Sequence, residues 1–130
     1  MTQVGARRIL TCSDQQDQIE DLMTVVRISL GRFDPENFEN IQRLLHDSQK
    51  ALIPDICGLS GNLAYYVGID RDNAVMTNVS LWDSLENAQQ MATLTAMLDL
   101  AGTFVEAGVR FERPITNHEV LWTLHGSNSA

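Results

Sequence analysis

Residues 63 to 86 read L-A-Y-Y-V-G-I-D-R-D-N-A-V-M-T-N-V-S-L-W-D-S-L-E, and the fold is decided here. Two runs rich in β-branched and aromatic residues flank D-R-D-N, whose Asp and Asn side chains tolerate left-handed backbone or bond to their own main chain. The pattern predicts a hairpin closed at Asp70 to Asn73, its second strand running to Trp82. Asp83 is then placed to cap a helix, and Glu86, three residues on, to complete a capping box.

Downstream, Leu85, Ala88, Met91, Ala92, Thr95 and Leu98 form the broad apolar face of that helix, which Gly102 and Gly108 break or end in stages. The stretch R-F-E-R-P-I-T-N-H-E-V-L-W-T-L, residues 110 to 124, reads as a strand interrupted at Pro114 and clearest from Glu119 to Leu124. Upstream, M-T-V-V-R-I-S-L from Met23 is a first strand that stops at Gly31. Asp34 can cap the following helix, Pro35 suits its first position, and Phe33 can staple against Phe38. Phe38, Ile41, Leu44, Leu45 and Leu52 share one side of this helix, opposite Glu36, Glu39, Arg43 and Asp47. Pro54 ends it near Ala51.

The order β-α-β-β-α-β is the split βαβ signature of an α+β, ferredoxin-like sandwich, with a four-stranded antiparallel sheet and both helices on one face. The domain spans residues 23–125. Residues 1–22 form an N-terminal extension, either a tail or an arm laid on a neighbour, and 126–130 a C-terminal tail. Apolar residues fall on both sides of the sheet: Val75, Val79 and Leu81 against Met76 and Trp82, then Val120, Trp122 and Leu124 against Leu121. A sheet apolar on both faces needs a second cover, and a homodimer closing an α/β barrel supplies one. The alternative is a monomer covered by its own N-terminal arm.

With 130 residues, 44% hydrophobic and 20% charged, the chain has the composition of one globular domain. The net charge of −8 argues against nucleic acid and anionic lipid, which draw on clustered Lys and Arg. No unbroken apolar run is long enough to span a bilayer, and no basic region leads into an apolar one as in a secretory signal. Cys12 and Cys57 lack the spacing of a disulfide framework or a zinc site, so a reducing cytoplasm is the expected setting.

Three pieces of the chain carry a family likeness: V-V-R-I-S-L-G-R-F-D-P-E-N-F from Val25, G-L-S-G-N-L-A-Y-Y-V-G-I-D-R-D-N from Gly58, and N-V-S-L-W-D-S-L-E-N-A from Asn78. Over Val25 to Leu124 the sequence resembles the antibiotic biosynthesis monooxygenase family of dimeric α/β barrels. The resemblance implies a pocket between sheet and helices for a planar phenol, quinol or similar ring. It also implies oxidation by dioxygen with no metal or flavin cofactor, the ring itself being the reductant. An Asn and a Trp four residues apart on the third strand line that pocket in one type of member, and Asn78 and Trp82 match them. The Tyr and Arg of that type's following helix have no counterpart, because residues 83–109 contain no Tyr, Arg, Lys or His. Heme-degrading relatives need a His where Met91 or Ala92 stands, so heme is not expected.

From the residues themselves, closing the hairpin at Asp70 to Asn73 sets Tyr65 across from Asn78, so a phenol and an amide share one face. Asn78 can steady a developing phenolate or remain an edge-strand amide, and Trp82 can stack a ring or fill the core. His118 can act as a base near neutral pH, although Glu119 beside it points the other way. Asp99, near the edge of an apolar helix face, can accept a phenolic proton or reach solvent. His46 reads as solvated, and His125 lies in the tail. Three functions stay open: an oxygenase or related pocket enzyme for an aromatic small molecule, a non-catalytic dimer that binds a small apolar ligand or a protein, and an isomerase or decarboxylase, which the resemblance also allows because related barrels host such chemistry without cofactors. No nucleotide, serine-hydrolase or zinc-protease motif is present.

Overall fold

Period-two alternation in three strands builds the sheet. β1 (Val25–Arg32), β2 (Asn62–Asp70) and β3 (Val75–Trp82) pair antiparallel, and β3 lies between the other two. The computed structural model describes residues 24–126. Within them the sheet is open, in the order β2-β3-β1-β4, with β4 (Arg110–Phe111) and β5 (Thr116–Glu119) both paired to β1. These two short pieces stand for the single interrupted fourth strand that the sequence predicts, and the ferredoxin-like α+β arrangement follows. The N-terminal extension lies outside the described residues.

All the helices cover one face. A 3-10 turn at Pro35–Asn37 leads into α1 (Phe38–Asp47), α2 (Gln49–Cys57) follows, and after β3 come α3 (Leu85–Ala88), a 3-10 turn (Gln89–Thr93) and α4 (Thr95–Glu106). The core divides into two clusters. One gathers Phe33, Phe38, Ile41, Leu45, Met76, Phe104 and Val109; the other gathers Val25, Leu52, Ile56, Trp82, Ala88 and Met91. Trp82, Ile41, Met76 and Met91 are fully enclosed, and burial of such side chains stabilises by about 1.5–3 kcal/mol each.

Local details depart from expectation for physical reasons. The first helix is two, broken at Ser48, and α2 runs through Pro54 to Cys57. Pro54 removes one amide bond on an exposed side, while Leu52 and Ile56 remain anchored in the core. Asp34 caps through its backbone carbonyl, which accepts from Asn37 N at 2.8 Å, and not through its carboxylate. Phe33 and Phe38 do join one cluster, and the Arg71 guanidinium lies over the Phe38 ring at 3.9 Å. Ser84, one residue beyond the expected cap, holds the second helical start by accepting from Asn87 N at 3.1 Å. Asp83 accepts instead from Asn87 Nδ2 at 2.7 Å. α4 passes through Gly102 and ends before Gly108, whose φ of +103° suits a residue without a side chain.

Two corrections bear on the site. The hairpin turn spans residues 71–74, with Ala74 at φ +55°. Tyr65 therefore faces Ser80, and Asn78 faces Val67. A shift by two preserves the faces, so Tyr65 and Asn78 still point to the same side. The last strand ends at Glu119: the Val120 amide bonds to Thr24 O, and beyond that pair β1 offers no further partner. Residues 120–126 are not in a strand, and Leu121, Trp122 and Leu124 stand exposed.

No described helix is long and apolar enough to cross a membrane. Cys57, at the end of α2, is disulfide-bonded, which the spacing of the two cysteines gave no reason to expect.

Candidate functional site

The helix-facing side of the sheet is not uniformly apolar. β1 presents Val25, Arg27, Ser29 and Gly31 to the helices, and β3 presents Met76, Asn78, Ser80 and Trp82. In register, Gly31 meets Met76 and Val25 meets Trp82, whereas Ser29 meets Asn78 and Arg27 meets Ser80, with Tyr65 beyond it on β2. A polar belt thus crosses the middle of the sheet, and one core cluster sits at each end.

Over the belt lies a cavity of about 170 Å³. Its floor includes Arg27, Ser29 and Asn78, and its walls come from both clusters and α4, among them Leu45, Leu52, Met91, Met97, Leu100 and Phe104. Ala92, Leu98 and Arg113 also line it and are exposed, so they mark its mouth. The cavity has a cause. Apolar helix side chains cannot close on buried Arg, Ser and Asn groups without leaving them unpaired, so the core parts above them.

Arg27 dominates the electrostatics. The residue is only 8% exposed, and among the described residues its guanidinium has no hydrogen-bond or carboxylate partner. Burial lowers its pKa; Tyr65 opposes that shift and Arg113 adds to it. Tyr65 is half-buried, its hydroxyl enclosed without a partner, and burial pushes its pKa up to about 12 against the pull of Arg27. Ser80 Oγ accepts from Trp82 Nε1 at 2.8 Å, and Ser48 Oγ donates to Leu45 O at 2.7 Å.

The residues singled out from sequence separate into two groups. Asn78 lines the cavity. Trp82 points the same way but is fully enclosed in the second cluster, behind the Met91 and Leu52 side chains that form the wall. Tyr65 packs against that cluster in the Arg27 row and is not part of the cavity wall. His118 pairs with Val26 on the opposite face and is exposed, and Asp99 is exposed on α4 between wall residues Leu98 and Leu100. Neither touches the cavity. Arg27, Ser29, Ser48 and Arg113 went unnoticed in the sequence. The signal for the first two was available: in V-V-R-I-S-L the polar residues fall every second place, all on one face of the strand.

Solved structures of this shape are known. A protein from Nitrosomonas europaea, provisionally assigned as an antibiotic biosynthesis monooxygenase, aligns at TM-score 0.60 and 10% identity over 81% of this chain and 97% of its own. SnoaB from Streptomyces nogalater, a cofactor-independent oxygenase, aligns at TM-score 0.55 and 14% identity, over 79% and 98% of the two chains. The fold is that of the antibiotic biosynthesis monooxygenases. A protein from Shewanella oneidensis, SO0527, aligns at TM-score 0.60 and 15% identity, over 77% of this chain and 93% of its own. No sequence family and no curated protein matches the chain significantly. At such identities the likeness speaks for the monooxygenase fold, and the chemistry has to be argued from the cavity.

Proposed function

We propose that this chain is a cofactor-independent monooxygenase, or a closely related pocket enzyme, acting on a phenolic, quinol-like or similar aromatic molecule. The observation that carries the reading is the cavity between sheet and helices, apolar in its walls, with the Asn78 amide and the Arg27 guanidinium on its floor. A buried cation lowers the pKa of a phenol bound beside it, so the ring is held as its anion. No His, Asp, Glu, Lys or Tyr among the described residues lines the cavity. The phenolic proton therefore passes to water, and Arg27 and Asn78 stabilise the charge left behind.

The electron-rich anion then reacts with dioxygen. A ring C–H ortho or para to the phenolate oxygen is oxygenated and the ring leaves as a quinone: one oxygen atom stays on the ring, the other leaves as water, and the substrate supplies all four electrons. Met91, Met97, Leu100 and Phe104 hold the ring and keep bulk water from the reacting carbon.

A homodimer is part of the proposal. Val26, Ile28, Leu30, Val75, Val79 and Leu81 make the other face of the sheet apolar, and no described element covers it. A second sheet packed there completes an α/β barrel, and the exposed Leu121, Trp122 and Leu124 extend the same surface. A disulfide at Cys57 is unusual in a reducing compartment and so stands against the cytoplasmic setting expected from the sequence.

A non-catalytic ligand-binding dimer is the second reading, favoured by His118 and Asp99 standing away from the cavity. Oxygen uptake with a panel of hydroquinones separates the two. The oxygenase reading expects uptake that falls by about 100- to 1,000-fold in Asn78→Ala, as for loss of one positioned donor. Ligand binding with no oxygen consumed establishes the binding module.

A further inference from the structure

The cavity holds a charge that nothing in the described chain neutralises. In a protein with 17 acidic and 9 basic residues, the described residues that line the cavity include two arginines and no carboxylate. Arg27 is more than nine-tenths buried, faces the cavity and lacks a partner among the described residues. Arg113 is close enough to lower its pKa further, and stands at the mouth with its guanidinium 5.5 Å from the Phe111 ring centroid. Two guanidiniums at one end of an apolar chamber repel each other, and an anion between them relieves the repulsion. Ser29 and Asn78 add a hydroxyl and an amide beside Arg27, so an oxyanion there meets donors from three side chains.

We propose that the cavity takes its ring as an acid: a monocyclic aromatic carboxylate whose carboxylate lies against Arg27, with Arg113 over it from the mouth. The inference rests on the cavity being the substrate pocket and narrows what enters it. Size sets the single ring, because about 170 Å³ is close to the roughly 150 Å³ that accommodates one benzene molecule. The guanidinium sets the carboxylate, since its planar fork pairs with two coplanar oxygens. The thioether and aliphatic walls of Met76, Met91, Leu45 and Leu100 set the remainder of the ligand as bare ring carbon.

Calorimetric titration with 2-hydroxybenzoate and with its neutral amide, 2-hydroxybenzamide, which keep the phenol beside the acid group and leave the rest of the ring bare, tests this on the full chain. The acid is expected to bind about 10-fold or more tightly than the amide. Arg27→Met is expected to weaken the acid by about 10- to 100-fold and the amide little, as for loss of one charged hydrogen-bonding group. Arg32→Met, whose guanidinium pairs with Glu112 outside the cavity, is expected to change neither, and circular dichroism checks that the variants fold. Equal affinity for acid and amide, no binding of the acid, or an Arg27→Met variant that binds the acid as the parent does overturns the proposal. Binding as expected with no oxygen consumed upholds it while removing the oxygenase reading. An Arg27→Met variant that binds the acid as the parent does while still consuming oxygen with hydroquinones removes it and leaves the oxygenase reading standing.

Discussion

Replacing Arg27 by Met should make the empty protein more stable and the liganded protein less so. Arg27 is 8% exposed, and its guanidinium pairs with nothing among the described residues. Desolvating a charge costs several kcal/mol when no counter-ion repays it, and an apolar group of similar length in that place is often stabilising by about 1–4 kcal/mol. Met keeps the aliphatic stem that packs between the two core clusters and removes only the charged head. Because the head faces a cavity and not a sealed core, the low end is expected, about 1–2 kcal/mol. In a chain of this length that raises the midpoint of thermal unfolding by roughly 4–8 °C.

Ligand should reverse the order. An acid present at a hundred times its Kd stabilises the parent by about 2.7 kcal/mol, and the variant that no longer binds it gains almost nothing. Thermal or urea unfolding with and without 2-hydroxybenzoate measures both effects on the same samples. If Arg27→Met lowers the midpoint without ligand by several degrees, the guanidinium is satisfied within the chain. An unpaired charge waiting for an anion would then be the wrong description of the cavity.

Three more outcomes follow from the geometry. Tyr65, whose pKa rises from near 10 to about 12, stabilises the fold fully below pH 10, and the contribution is lost as pH climbs through 12; about 2–3 kcal/mol is at stake. Urea midpoints across that range should fall more steeply for the parent than for Tyr65→Phe, and parallel curves would contradict the burial of the hydroxyl. Gly61 sits at φ +78°, and a Cβ there would strike the Asp83 carboxylate that binds Asn87. Gly61→Ala should therefore cost about 2 kcal/mol, read as a lower urea midpoint at unchanged slope. Ile28 and Val79 face each other at the centre of the open sheet face, so Val79→Lys should convert a dimer to a folded monomer in sedimentation; an unchanged dimer would place the interface elsewhere.

The faces of the strands were legible because a side chain's side depends only on whether its position is odd or even. Met76 and Trp82 inward, Val75, Val79 and Leu81 outward, is what the structure has. The register was not legible in the same way. It turned on a four-residue turn that places Ala74 in the left-handed region, where a non-glycine residue is uncommon and no sequence signal announces it. The second helical segment hid its break for a related reason. Leu94 is a strong helix former, yet its extended backbone (ψ 118°) separates the 3-10 turn from α4, so the stripe that includes buried Ala88 and Met91 does not continue to Leu98, which is exposed. The last strand could not be bounded from its own residues, since a strand ends where its neighbour does, and β1 starts at Val25.

The candidate site was half legible. Asn78 was found through the family likeness, and it lines the cavity. His118 was singled out as a base near neutral pH and Asp99 as a carboxylate at the edge of an apolar helix face, and neither criterion locates a cavity. The more informative rule concerns the polar residue that breaks the apolar side of a strand. Arg27 and Ser29 occupy the positions that should have been the most apolar in β1, flanked by Val25 and facing the helices. A sequence that places a charge where the fold calls for Val sacrifices stability there, and such a residue survives in a core when a ligand, and not the chain, completes its bonding. By that reasoning the polar belt is the cause of the cavity. Replacing Arg27, Ser29 and Asn78 together by apolar residues of similar size should let the two clusters merge, raise stability and abolish binding of both acid and amide.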